Sequence, residues 1–193
     1  MEETIKRFDL PQILRHNARF DLDKLLWLDS EYIREMGEER FRDLAIAALR
    51  RAGYHVNNYS PAYVAAALAT CRGKIKHFAD LASYAGFYFT DSVTIDPAVA
   101  AKDFTPESVA RLRKLREAFA TLPSFTAAEI EKTLKAVAAE LGVKAGPLVH
   151  PTRLACTGSA AGPSLYHLME VLGKETVLKR IDACLAMVSG KRD

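Results

Sequence analysis

Thr126-Ala127-Ala128-Glu129-Ile130-Glu131-Lys132-Thr133-Leu134-Lys135-Ala136-Val137-Ala138-Ala139-Glu140-Leu141-Gly142 is the stretch on which the fold class turns. Thr126 and Glu129 have the spacing of a capping box, in which the threonine hydroxyl accepts from the first turn and the glutamate reaches back. Ile130, Leu134, Val137 and Leu141 then fall on one helical face, and Gly142 supplies a left-handed stop. The stretch specifies an amphipathic helix with both ends marked.

The same grammar recurs on either side. Thr105-Pro106 and Ser60-Pro61 each set a capping hydroxyl before a proline suited to a first helical turn, which predicts helices over 106–121 and 61–71. A further helix over 38–52 ends at Gly53, and Asp21 or Asp23 opens a segment carrying Leu25, Leu26, Leu28 and Ile33. Beyond the deciding stretch, 164–172 and 175–188 are apolar-periodic and split by Gly173. Trp27, Phe41 and Phe119 sit at helix-core spacings and are expected to pack, not to stack on bases. The chain reads as all-α with eight to ten helices. Only Tyr88 to Ile95 is ambiguous between strand and turn. Thr90 to Pro97 is the most turn-rich part of the middle, so two helical units are expected, over residues 1–91 and 92–193.

Composition narrows the function classes. The 193 residues are 49% hydrophobic and 26% charged, the balance of a chain that folds around a core. No apolar run approaches the roughly 20 residues of a membrane span, and Met1 to Lys6 lacks a signal-peptide pattern, so a cytoplasmic protein is expected. Cys71, Cys156 and Cys184 are odd in number and widely spaced, which excludes a disulfide framework and a CxxC metal site and predicts inert thiols. A net charge of +3 and a pI near 8.7 permit a polyanionic partner without requiring one.

Catalytic signatures are missing. His16, His55, His77, His150 and His167 have no metal-ligand spacing, and neither a phosphate-binding glycine loop nor a GxSxG turn occurs. Gly73, Gly146, Gly158 and Gly162 read as isolated loop glycines. No catalytic residue, metal or cofactor is expected in this chain.

Two regions put basic residues beside helix breakers. In Cys71-Arg72-Gly73-Lys74-Ile75-Lys76, three cations follow a helix C-terminus. They either complement the helix dipole or await a polyanion. Gly146 to Leu165 is rich in Pro and Gly and holds a single arginine, Arg153. It reads as a loop, either a plain linker or a shaped pocket in which a planar guanidinium meets a base edge. Arg111, Arg113, Lys114 and Arg116 spread around one helix and are expected to be solvated.

Two blocks carry a resemblance. Phe8-Asp9-Leu10-Pro11 through Lys24-Leu25-Leu26-Trp27 and Tyr32-Ile33 resembles the segment that follows the KMSKS region of glutamyl-tRNA synthetases. Gly142 to Gly146, Pro151-Thr152-Arg153-Leu154-Ala155-Cys156-Thr157-Gly158, Gly162-Pro163 and Leu172-Gly173-Lys174-Glu175 look like the C-terminal signature of the bacterial enzymes, and are the more specific. HIGH-like and KMSKS-like motifs are absent, so the resemblance is to the anticodon-binding region without the catalytic domain to which ATP and Mg would belong.

The resemblance implies a helical cage in two subdomains that grips splayed anticodon bases of glutamate tRNA. Carried over by position, Arg153 would contact the first anticodon base, Gly162, Pro163 and Leu165 would border the second, and Lys74 would lie near the third. Arg72 and Lys76 would meet the tRNA backbone. Lys74 stands where arginine is common, a point charge in place of a fork. Gly162 stands where a polar side chain can occur, which implies reading by backbone groups. A monomer with a tRNA partner and no membrane or DNA partner is expected. A helical protein-interaction module derived from that domain is the second reading, and an unrelated small helical enzyme the third.

Overall fold

The computed structural model describes residues 19–189 together with residues 3 and 6. His16 and the Phe8 to Asn17 part of the first resemblance block lie outside the described residues. Ten α-helices and no strand occur among the described residues. Side-chain caps start most of the early ones. Asp21 accepts from the Lys24 N–H at 3.0 Å and opens α1 (Leu22–Glu35). After α2 (Glu38–Arg51), Gly53 turns the chain at φ 90°. Ser60 opens α3 (Pro61–Cys71), accepting from the Tyr63 N–H at 3.2 Å, and α4 (Leu81–Ala85) runs into a 3-10 turn at Gly86–Phe89. Asp96 and Thr105 cap α5 (Pro97–Asp103) and α6 (Pro106–Thr121). The remaining helices are α7 (Ala127–Glu140), α8 (Gly146–Thr157), α9 (Leu165–Leu172) and α10 (Lys174–Ser189).

The structure corrects three expectations and resolves one ambiguity. Only half of the Thr126 capping box forms: the hydroxyl accepts from the Glu129 N–H at 3.4 Å, while the Glu129 carboxylate turns to Lys132 at 3.8 Å. Gly146 to Thr157 is a helix, not loop, and only 158–164 remains irregular. Pro147 falls in the first turn, where its missing N–H costs nothing. Pro151 removes one interior bond, but Leu148, Pro151, Thr152, Leu154, Ala155 and Cys156 are all buried, and that packing outweighs a local penalty of about 3 kcal/mol. Trp27 is not a packing residue, being 58% exposed, whereas Phe41 and Phe119 are buried as expected. Tyr88 to Ile95 finishes a 3-10 turn and then continues without strand pairing.

One cluster of buried apolar side chains runs from Ile33 to Cys184. Within it α6 packs on α7, α8 and α10, and α9 packs on α7 and, across the middle of the chain, on α3. No described helix is long and apolar enough to cross a membrane.

Cys71, Cys156 and Cys184 are free and buried, and desolvation pushes their thiols up to about 11, about 12 and about 11. A disulfide-exchange reagent at pH 8 is therefore expected to label none of them in the folded chain and all three in denaturant. The shift also sets an alkaline limit. Because these pKa values are raised, the fold holds protons that the unfolded chain releases above about 9, so stability falls as pH rises from 9 toward 12. Urea midpoints measured at pH 8 and pH 11 should drop accordingly, and an unchanged midpoint would contradict the burial.

Candidate nucleic-acid interface

The site grows from the C-terminal end of α8. Arg153 is half-buried there, and its Nη1 donates to the Pro163 carbonyl at 2.6 Å. Desolvation pulls its pKa below the ordinary arginine value, with Cys156 and Tyr88 acting in the opposite sense, but a guanidinium remains charged at any working pH. The bond fixes a planar fork against the loop while its other N–H donors have no partner among the described residues.

Local chemistry dictates the loop. Gly158 closes α8 at φ 74°, and a Cβ built there would lie 2.4 Å from the Thr94 carbonyl oxygen, so only glycine allows this close backbone approach. The Thr157 hydroxyl donates to the Arg153 carbonyl at 2.9 Å and accepts from the Ser159 N–H at 3.1 Å, which folds the chain back over the helix end. Pro163 and Leu165 are buried and anchor the far side. Gly162 sits beside the guanidinium, where an added Cβ would lie 3.4 Å from Nη1.

Lys74 comes from the other locus, just past α3, and is exposed. The fold brings it to this loop. A groove of about 430 Å³ has Thr70 and Lys74 on one wall and Ser164, His167 and Glu170 of the α9 region on the other. Lys76 is also exposed, its N–H donating to Asp80 at 3.0 Å. Arg72 is placed differently. Its Nε donates to the Ile33 carbonyl at 3.2 Å, its Nη2 donates to those of Arg34 at 3.1 Å and of Met36, and its Cζ lies 4.9 Å from the Phe41 ring centroid. Arg72 thus clamps the C-terminal end of α1, complementing the dipole of a helix distant in sequence and not that of α3, the helix it follows.

Other cations hold helices together. Arg116 makes a two-point bond to Asp182 at 2.8 and 2.7 Å, joining α6 to α10, and Lys114 meets Glu140 at 2.6 Å, so this face is not simply solvated. His55, His77, His150 and His167 are exposed, and His77 caps a 3-10 turn through Nδ1. No group of three or more metal-ligating side chains occurs among the described residues. Sequence reasoning missed Thr70, His167, Glu170 and Arg180. Thr70 is local to Lys74, on the last turn of α3, whereas His167 and Glu170 become its neighbours only through the packing of α9 on α3, which no local spacing announces.

Comparison with known proteins places this geometry. Residues 39–185 match the family described as anticodon binding domain. A glutamate–tRNA ligase of Moorella thermoacetica is 36% identical over 188 residues, covering 94% of this chain and 38% of that ligase. One of Methylacidiphilum infernorum is 35% identical over 181 residues, 94% of this chain and 41% of that protein. The chain thus spans about two fifths of the length of these relatives. A crystal structure of a glutamate tRNA ligase from Elizabethkingia meningosepticum, in complex with its amino acid, superposes with a TM-score of 0.79 at 26% identity, over 96% of this chain and 36% of that one. With the helical fold, the arginine held against the 158–164 loop and these matches together, the chain belongs to the anticodon binding domain family, and the relatives that match nearly all of this chain are glutamate–tRNA ligases.

Proposed function

We propose that the loop and groove bind the anticodon arm of glutamate tRNA, and that the chain serves glutamate–tRNA ligation in the cytoplasm by selecting the substrate, acting as a monomer. Arg153 offers its fork to the first anticodon base, the backbone of Gly162, Pro163 and Leu165 borders the second, and Lys74 meets the third. Lys76, exposed just past Lys74 in the chain, meets phosphate, whereas Arg72, engaged with three carbonyls, serves the site by holding α1. ATP and Mg chemistry falls to the remainder of such a ligase. The observation that carries this reading is the Arg153 fork, held by the Pro163 carbonyl with its remaining donors unpartnered among the described residues. Single-stranded loop bases are read on their exposed edges by groups of this kind, while cations hold phosphates.

The protein-interaction reading has one feature in its favour. Leu22, Leu25, Leu28 and Tyr32 are exposed and lie within about 120° of one another around α1.

One experiment separates the two readings: fluorescence anisotropy with glutamate tRNA transcripts carrying native or single-base-swapped anticodons, at two salt concentrations. Swapping the first base is expected to weaken binding about tenfold or more, and Arg153→Gln to remove that sensitivity. The salt slope should approach −0.7 per neutralised phosphate, on the order of a few contacts. Equal affinity for every transcript would overturn anticodon reading and leave the interaction module.

A further inference from the structure

We infer that Arg180 is a positioning residue for reading the first anticodon base: it ties the last turn of α8 to the turn around Tyr88 and so sets where the Arg153 fork stands. The inference rests on the anticodon-binding reading and adds to it a residue that is itself buried, at 4% exposure.

Arg153 is anchored at both ends. The Pro163 carbonyl holds its guanidinium, while the backbone that carries it is the C-terminal turn of α8, where the last carbonyls lack partners within the helix. Arg180 reaches that turn from α10, its Nη1 donating to the Cys156 carbonyl at 2.6 Å, three residues past Arg153. Its Nη2 donates to the Phe87 and Thr90 carbonyls at 2.8 and 2.7 Å. Between those two lies Tyr88, whose carbonyl accepts from the Tyr63 hydroxyl at 3.0 Å and whose hydroxyl lies 2.9 Å from that of Thr70. Tyr63 and Thr70 belong to α3, the helix that leads to Lys74. One guanidinium therefore sets the Arg153 turn against the part of the fold that presents the other cation of the site. No other side chain among the described residues hydrogen-bonds to both α8 and the turn around Tyr88.

Stability alone is a poor account of this arrangement. Burying a guanidinium costs desolvation that a packed apolar side chain avoids, and here Nε is left without a partner as well. What no apolar side chain supplies is a planar fork that fixes three carbonyls relative to one another. Base edges are read by hydrogen bonds that weaken steeply with misalignment, so a turn displaced by about 1 Å loses discrimination between bases. Attraction between a cation and a phosphate falls off gently with distance and survives the same displacement.

The test uses the full chain, the same transcripts and Arg180→Lys, which keeps the charge and loses the fork. Wild type is expected to favour the native first base about tenfold and Arg180→Lys by no more than about threefold, with the salt slope unchanged. A smaller folded fraction cannot produce that result, because it weakens every transcript by the same factor and cancels from the ratio. Arg116→Ala, which releases α10 from α6 and removes no bond to α8, is the control and should keep the tenfold ratio. A ratio that survives Arg180→Lys, or one that falls equally in Arg116→Ala, overturns the inference and leaves the anticodon reading in place. If Arg180→Lys does not fold even in sucrose, Tyr88→Phe takes its place, removing only the hydroxyl that joins the turn to α3. Its ratio is expected to fall about twofold, and an unchanged one overturns the inference. A wild type indifferent to the first base overturns both the inference and the reading beneath it.

Discussion

Arg180→Ala is expected to lower the free energy of unfolding by about 4 kcal/mol, the largest loss for any single side chain considered, and to be read as a shift of the urea midpoint with an unchanged slope. Arg180 lies on α10 at 4% exposure with no carboxylate bonded to it among the described residues. Its Nη1 donates to the Cys156 carbonyl at 2.6 Å, and its Nη2 to those of Phe87 at 2.8 Å and Thr90 at 2.7 Å. Desolvation lowers its pKa, yet the group stays protonated, so the fold carries a buried cation neutralised by backbone dipoles. Removing it strands three buried or half-buried carbonyls, each costing about 1–3 kcal/mol, and opens a cavity between three segments. Arg180→Lys keeps the charge but cannot span three acceptors in a plane, so about half the loss should remain. The unpartnered Nε shows that the arrangement is already imperfect, and an alanine variant destabilised by less than about 1 kcal/mol would mean that the carbonyls find water instead.

Gly158→Ala is expected to cost about 3 kcal/mol and to weaken RNA binding as well. The left-handed conformation alone accounts for about 1–2 kcal/mol with any Cβ. The remainder comes from the Thr94 carbonyl, which lies 2.4 Å from the built atom and belongs to backbone, so it cannot move aside as a side chain would. Relief requires the loop to lift, and with it goes the Pro163 carbonyl that orients Arg153. Two controls isolate the cause. Gly142 has φ 66° with open space around it, so Gly142→Ala should cost only the conformational part, about 1 kcal/mol. Gly162→Ala meets only the tip of Arg153 at 3.4 Å and should change stability by less than about 0.5 kcal/mol. Thermal melts of the three variants, followed by anisotropy on those that fold, check the ranking; equal losses at positions 142 and 158 would discount the Thr94 contact.

Legibility in the sequence followed the range of the forces involved. Caps act within one turn, so Ser60-Pro61 and Thr105-Pro106 gave their helices residue for residue at Pro61–Cys71 and Pro106–Thr121. Pro147 and Pro151 misled because proline is a local signal, while the burial of Leu148, Thr152 and Leu154 that overrides it is tertiary. Trp27 misled for the reverse reason: helical spacing says which residues share a face, not whether another element covers that face. In the candidate site, Arg153 and Lys74 were singled out within their own segments, although that of Arg153 proved to be helix. What faces Lys74 was not, since Glu170 is nearly a hundred positions away and meets it only because α9 lies on α3. Arg180 was invisible because a lone arginine in an amphipathic helix looks like any solvated cation until its carbonyl partners are in place.

Trp27 has one more consequence, a spectroscopic one. It is the chain's single tryptophan, and at 58% exposure its indole should emit as indole does in water and be readily quenched by iodide. It stands on α1, whereas Arg153 and Lys74 flank the junction of α3, α8 and α9. Intrinsic fluorescence is therefore a poor titration signal for an RNA at the groove. Because Trp27 lies roughly 160° around α1 from the middle of the Leu22, Leu25, Leu28 and Tyr32 stripe, it reports on the opposite face of that helix, so a partner docked on the stripe should leave the indole open to iodide.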